Sequence, residues 1–269
     1  MGNVKQLSWC GATRSGSRKE QNDDSWIAFS ANANGSNVLP EKGNGSTADQ
    51  DLVFAVSDGM GGGNAGDMAS ALILERMATL IPETFKAAAS GFFPDSISHL
   101  QEVLKDVHDH INRAAEGTDD LKGMAATLAL AWFSPENMYL ANAGDSRIYR
   151  SRDGKTEQLS KDHTAAWGQL QRGVMQEVEY RAHPRRAALY QVIGGGNRTS
   201  CPHFAAIQYQ SGDRFLICSD GLIDGVWERH IRDALAEDVL PEECCKKLLK
   251  RAVENSGTDD TTLIVIEIG

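Results

Sequence analysis

Two stretches of this chain end in the same three residues. VFAVSDG (Val53–Gly59) and FLICSDG (Phe215–Gly221) each run an apolar strand into Ser-Asp-Gly, and so deliver Asp58 and Asp220 to equivalent strand ends. Asp145 follows the run YLANAGDS, Asp259 and Asp260 stand just before the last apolar run in GTDDTTLIVIEI, and Asp23 and Asp24 precede SWIAFS. Any one Asp-Gly after a strand is explained as a turn, its carboxylate bonding the local backbone. The set calls for more. Carboxylates that converge at buried strand ends are costly to desolvate and repel one another unless a cation neutralises them. Oxygen donors without a His or Cys cluster suit a hard divalent ion, Mg2+ or Mn2+, in preference to zinc.

Competing chemistries fare worse on spacing. Gly61, Gly63 and Gly66 match the G-x-G-x-x-G turn of a dinucleotide-binding unit, but such a unit needs a second parallel strand soon after its first helix. Here a second helix comes next instead. A Cys-x5-Arg phosphatase loop starting at Cys10 would need Arg at position 16, which is Gly16, and there is no G-x-S-x-G elbow or P-loop lysine. The seven histidines form no metal-binding pair. His108 and His110, two apart on a helix, face different ways and read as surface residues; His163 and His183 read as structural.

The elements that must position these aspartates emerge from periodicity. Strand-like runs lie near Ser25–Ser30, Leu52–Ser57, Ala125–Phe133, Met138–Ala143, Arg147–Arg150, His203–Tyr209, Arg214–Cys218 and Thr262–Ile268. SPEN (Ser134–Asn137), RDGK around Asp153-Gly154, and QSGD (Gln210–Asp213) have hairpin length and imply antiparallel sheets. Helical spacing marks Ala65–Leu80, Asp95–Ala115 and Pro241–Glu254, and more weakly Thr164–Arg172 and Trp227–Leu235. Ala31–Gln50, rich in Gly, Asn and Ser, reads as a mobile loop.

At 269 residues the chain can bury a substantial core, and 41% hydrophobic with 24% charged residues is ordinary for a globular protein. A net charge of -10 argues against a nucleic-acid-binding surface. Five cysteines with no C-x-x-C spacing favour reduced thiols, Cys218 being a buried strand residue. No run approaches a membrane span, MGNVKQLSWCG lacks a signal core, and Gln6 occupies the position where a myristoylation start expects Ser or Thr. The expected location is the cytoplasm.

Taken in order, GSRKEQNDDSW, VSDGMGGGNAGDMAS, GMAATLALAWF, YLANAGDSRIYRSRDG, LSKDHT, RAHPRR, ICSDGLIDGV and GTDDTTLIVI resemble the motifs of the metal-dependent type-2C serine/threonine protein phosphatases in their compact bacterial-like form. The resemblance covers nearly the whole chain. It implies an α+β fold of four layers (αββα), a β-sandwich of two antiparallel sheets flanked by helices, in a single catalytic domain with a flap at about 165–193. By the same resemblance Asp58 bridges two Mn2+ or Mg2+ ions, Gly59 lends a carbonyl, Asp220 and Asp259 complete the binuclear set, and Asp24, with Asp23 beside it, holds bound water. Asp145 and Asp224 join Asp220 in a third, weaker metal site, and the phosphate-binding cation is Arg18 or Lys19. Gly63 and Met60 stand where relatives carry histidines, and Asp260 replaces a frequent Asn.

The implied reaction is hydrolysis of phosphoserine and phosphothreonine on protein substrates, with a cognate serine/threonine kinase as a further partner. The alternative is a pseudophosphatase that keeps the fold as a binding or scaffolding module.

Overall fold

The computed structural model describes residues 5–18, 20–61, 65–83 and 96–269. Its strands are β1 (Gln6–Arg14), β2 (Asp24–Asn32), β3 (Gly35–Val38), β4 (Lys42–Ser46), β5 (Asp51–Met60), β6 (Ala125–Ala126) and β7 (Leu128–Phe133). They continue as β8 (Asn137–Ala143), β9 (Arg147–Arg152), β10 (Lys155–Gln158), β11 (Ile193–Gly194), β12 (His203–Gln208), β13 (Arg214–Cys218) and β14 (Thr261–Ile268). The helices are α1 (Ala65–Leu80), α2 (Ser96–Ala115), α3 (Ala165–Gln171), α4 (Glu177–Arg181), α5 (Asp220–Gly225), α6 (Glu228–Ala236) and α7 (Pro241–Asn255). Asp95, expected to open α2, lies outside the described residues.

One sheet runs in the order β10-β9-β13-β14-β1-β4; the other runs β11-β6-β5-β7-β8-β12, with β2 bonded to β5 and carrying β3. The pairings of β5 and its neighbours are all antiparallel, so the glycine loop after β5 does not open the parallel unit of a dinucleotide-binding domain. Strand alternation sorts the apolar side chains into layers. Leu52, Phe54 and Val56 of β5 point between the sheets, where they meet Trp9, Phe133, Phe215, Ile217 and Ile264. Val53 and Ala55, on the other face of the same strand, pack under α1 and α2 against Ile73, Met77, Leu100 and Val107. On the far side, Leu216, Cys218 and Val265 are covered by α5, α6 and α7 through Leu222, Ile231, Cys245 and Leu248. The result is the expected four-layer α+β sandwich.

Three expectations need correction. Ala31–Gln50 is not a loop throughout: β3 and β4 form within it, and β4 pairs with β1 over Lys42–Ser46, leaving the long N-terminal strand β1 in the sheet interior. The Gln210–Asp213 turn closes no hairpin. It carries the chain from β12, bonded to β8 in one sheet, to β13, bonded to β9 and β14 in the other. His108 is buried, its Nε2 3.0 Å from the Asn197 carbonyl and its Nδ1 accepting from Gly194 N–H at 3.1 Å. The Asp153-Gly154 turn does close the β9–β10 hairpin, with φ of 50° and 73° as a two-residue primed turn requires.

Asp51 opens β5 among apolar neighbours and accepts a 2.6 Å hydrogen bond from Trp132 Nε1. Burial pushes its carboxyl up to about 6, and the indole N–H offsets part of that rise. The folded chain therefore holds this proton more tightly than the unfolded chain, whose aspartates titrate near ~4. This contribution to stability is full below about pH 4 and is lost as pH rises through about 6. In urea unfolding, Asp51→Asn is expected to gain stability relative to wild type between pH 4 and pH 6 and to hold that gain above. A difference independent of pH would contradict the assignment.

Candidate metal centre

The aspartates expected to do chemistry do meet at one end of the sandwich. In the β2–β5 register Asp24 lies directly opposite Asp58. From the other sheet, β13 ends at Cys218 and Ser219 caps α5, whose first residue is Asp220, while Asp259 and Asp260 immediately precede β14. Asp145 comes from the tight connection between β8 and β9. Both sheets thus contribute, and the cleft exists only once they are stacked.

Specific polar contacts hold the Asp58 backbone and the Asp24 side chain in place. The strand read as Ala125–Phe133 breaks at Thr127, whose N–H donates to the Asp58 carbonyl (2.8 Å) and whose Oγ1 accepts from Asp58 N–H (2.9 Å). Ser57 Oγ donates to the Thr127 carbonyl at 2.7 Å, closing the clamp. Across the cleft, Ser219 Oγ donates to Asp24 Oδ2 at 2.7 Å and accepts from Thr262 N–H at 3.0 Å, tying β2 to the β13–β14 pair. The two serines of the repeated Ser-Asp-Gly therefore orient one aspartate each.

Asp260 does a different job from its neighbour Asp259. Its Oδ1 accepts from Gly16 N–H (2.8 Å) and its Oδ2 from Asp23 N–H (2.7 Å), so it fixes the loop that leads into Asp24. The Asp23 carbonyl in turn accepts from Gly59 N–H at 3.0 Å. At Gly59 a Cβ would lie 2.0 Å from the Gly66 carbonyl oxygen, and at Gly221 a Cβ would lie 2.0 Å from that of Asp260. Both glycines are demanded by backbone packed against backbone.

The electrostatics are those of a site that wants a cation. Desolvation is the main cause that raises Asp58 and Asp145 well above the usual carboxylate range; Asp24, Asp220 and Asp259 add repulsion at Asp58, and Asp220 and Asp162 do so at Asp145. Asp24 is pushed up to about 7, mostly by burial, and its Oδ1 is buried with no hydrogen-bond partner. Asp220 is raised by burial and then by Asp259, and its side chain lies within hydrogen-bonding reach of Asp58. An orphaned carboxylate oxygen among carboxylates that raise one another's pKa fits a hard divalent ion. Among the described residues, no three Asp, Glu, His or Cys side chains are closed into a ligand group, and mutual repulsion of the carboxylates accounts for that.

Asp224, one turn along α5 from Asp220, is ion-paired with Arg186, whose Nη2 is also 4.0 Å from Asp220 Oδ2. Sequence reasoning did not single out Arg186, although it lies in RAHPRR. Nor did it single out Thr127 or Ser219, whose signal was their place inside GMAATLALAWF and the repeated Ser-Asp-Gly. Arg18 is exposed, and its N–H donates to the Thr258 carbonyl at 3.4 Å. Lys19 and Gly63 lie outside the described residues. His163 is structural as expected, accepting from Gly144 N–H at 3.1 Å beside Asp145.

A helix-flanked sandwich with carboxylates gathered at the mouth between its sheets suits a metal-dependent hydrolase. The family profile described as Protein phosphatase 2C matches residues 43–255. The chain is 30% identical over 220 residues to the serine/threonine phosphatase stp of Listeria innocua, covering 81% of this chain and 85% of that one. It is 31% identical over 218 residues to the serine/threonine protein phosphatase PstP of Mycobacterium tuberculosis, covering 80% of this chain and 40% of that longer protein. The crystal structure of the PstP catalytic domain in complex with two manganese ions is similar at a TM-score of 0.75, with 26% identity and 99% of each chain covered. The chain belongs to the protein phosphatase 2C family and is, in reaction class, a phosphoric monoester hydrolase.

Removing the Asp260 carboxylate would orphan two N–H groups that now bond a charged acceptor. Asp260→Ala is expected to destabilise the fold by about 2–4 kcal/mol, and Asp260→Asn by less, since it keeps one acceptor. Denaturant midpoints of the three proteins decide the point, and equal midpoints would mean that the loop is held by something else.

Proposed function

We propose that this protein hydrolyses phosphoserine and phosphothreonine in proteins at a binuclear Mn2+ or Mg2+ centre held by Asp58, Asp220, Asp259 and the Gly59 carbonyl. The observation that carries the assignment is the direct opposition of Asp24 and Asp58 across β2 and β5, with Asp220 reaching Asp58 from the other sheet. When bound, two such ions lower the pKa of water and offset charge on the phosphoryl oxygens. The chain's own part is positional. Thr127 and Ser57 fix Asp58, Ser219 fixes Asp24, and Asp260 fixes the Asp23 backbone.

Asp24, with Asp23, would orient water toward the phosphorus, and Arg18 or Lys19 would steady the phosphate. With Met60 and Gly63 where relatives carry histidines, the proton for the leaving oxygen would fall to a bound water. A scaffolding role without catalysis gains no support, because Asp58, Asp220 and Asp259 are all retained. Phosphorylated proteins are the substrates, and a cognate serine/threonine kinase is the natural source of them. No helix among the described residues is long and apolar enough to cross a membrane; the cytoplasm is the proposed place of action.

The stretch 165–193, with α3 and α4, would act as a flap over this cleft, and Asp145, Asp220 and Asp224 as a third, weaker metal site. Arg186 reaches from the flap to Asp224 and Asp220, so its guanidinium and a third cation compete for the same oxygens.

Phosphate release from a phosphothreonine peptide is expected to need Mn2+ or Mg2+, to stop with a chelator, and to be lost in Asp58→Asn. A folded wild-type protein inactive under every metal condition would sink the assignment. In calorimetric Mn2+ titrations, Arg186→Ala is expected to tighten the weakest binding phase several-fold, and Asp224→Ala or Asp145→Ala to remove it and to lower activity at limiting metal. Isotherms that superimpose on wild type would leave no third site for Arg186 to contest.

A further inference from the structure

Beside the acidic centre lies a pocket of opposite sign. A cavity of about 480 Å3 opens next to Asp224, lined by Arg181 and Arg186 from the 165–193 stretch, Trp227, Arg229 and His230 at the start of α6, and Arg251 from α7. In a chain of net charge -10, four arginines around one cavity are a marked local reversal.

The four arginines divide into two kinds. Arg186 is ion-paired with Asp224. Arg181 is paired with Glu177 at 3.0 Å, donates to the carbonyls of Asp224 (3.3 Å) and Val226 (2.7 Å), and stacks 4.4 Å above the Trp227 ring. These two build the wall. Arg229 and Arg251 have no ion-pair partner among the described residues: Arg229 Nε is 3.3 Å from His230 Nε2, and Asn255 beside Arg251 spends its amide on the Gly225 carbonyl. His230 is held below its ordinary pKa, first by desolvation and then by Arg251 and Arg229, with Asp233 and Glu177 opposing. Its Nδ1 is buried and unpartnered. Two guanidinium charges without an ion-pair partner among the described residues thus line one cavity.

We propose that this pocket binds acidic side chains of the phosphoprotein segment, close in sequence to the residue being dephosphorylated, and so sets a substrate preference. The proposal rests on the phosphatase reading. Asp224 borders the pocket and stands four residues from Asp220, about 6 Å along a helix. An extended segment advances ~3.3 Å per residue, so an Asp or Glu two to four residues from the phosphorylated one spans the gap. Arginine suits the task because its planar fork pairs with carboxylates bidentately and stays charged at any working pH. Polypeptide is favoured over nucleic acid as the anion, because the chain's overall negative charge and the adjoining acidic cleft repel a phosphate backbone.

The test compares two phosphothreonine peptides that differ only in flanking Glu or Gln, with p-nitrophenyl phosphate as a substrate too small to reach the pocket. Wild type, with saturating Mn2+ at low salt, is expected to favour the Glu peptide by about five- to ten-fold in kcat/KM, mainly through KM, with the preference shrinking as salt is raised. In the double variant Arg229→Gln/Arg251→Gln, turnover of the Gln peptide and of the aryl phosphate should match wild type while the preference disappears. Equal kcat/KM for the two peptides in wild type, or a preference that survives in the variant, overturns the proposal while leaving the phosphatase reading intact. Failure to turn over any of the three substrates overturns the phosphatase reading and the pocket assignment with it.

Discussion

The structure depends on holding carboxylates together against their own repulsion. Asp24 and Asp58 face each other across two hydrogen-bonded strands, and Asp220, at the start of the helix that follows β13, adds its charge to theirs. Nothing in the side chains themselves favours this. The force that imposes it is remote: the interdigitated apolar layer in which Phe133 meets Phe54, Tyr209 and Phe215 at centroid distances of 5.9, 5.2 and 5.2 Å locks the two sheets in register. A well-packed sandwich can carry a strained, charged mouth because its stability is generated elsewhere.

Polar clamps convert that general register into ångström-level placement. Thr127 interrupts a strand so that its hydroxyl and amide both reach the Asp58 backbone, and Thr127 Oγ1 is 2.6 Å from Ser146 Oγ next to Asp145. One small residue therefore coordinates the backbone of one candidate ligand with the turn that bears another. Ser219 performs the equivalent service between the sheets. Such residues act through hydrogen bonds in a buried site, where geometry is stiff.

Much of this was legible in the chain. Amphipathic spacing marked α1, α2 and α7 closely, the apolar alternation marked β5, β8, β13 and β14, and the strand-end aspartates converge as their repeated context suggested. The failures have physical causes. β3 and β4 consist of Gly, Ser, Asn, Val and Lys, residues that propensity assigns to loops, and their strand character comes from pairing with β2 and β1. The Gln210–Asp213 turn has hairpin length, yet Asp213, buried and ion-paired to Arg152 of β9, anchors its far end in the other sheet. His108 sits on the buried stripe of α2 among Leu104, Val107 and Ile111, where the carbonyl of Asn197 and the amide of Gly194 satisfy both ring nitrogens. Arg186 lies in RAHPRR, but nothing in the motif marks its role, because that role lies in a contact 34 positions from Asp220 and 38 from Asp224.

The two Ser-Asp-Gly repeats show why equivalent sequences end in unequal roles. After Asp58 the strand continues through Gly59 and Met60, so Asp58 remains in a sheet whose ladder fixes both its neighbours. After Asp220 the chain turns at once into α5, which brings Asp224 round one turn later and directs it outward to the arginines of 165–193. In both places glycine permits a carbonyl to approach within 2.0 Å of where a Cβ would be, but the approaching chain differs: the start of α1 in one case, the strand-end loop of β14 in the other. The first repeat is thereby welded to the helical layer over its own sheet and the second to the last strand of the opposite sheet. Asp58 is thus held within a sheet ladder, while Asp220 shares a short helix with Asp224, which Arg186 already engages.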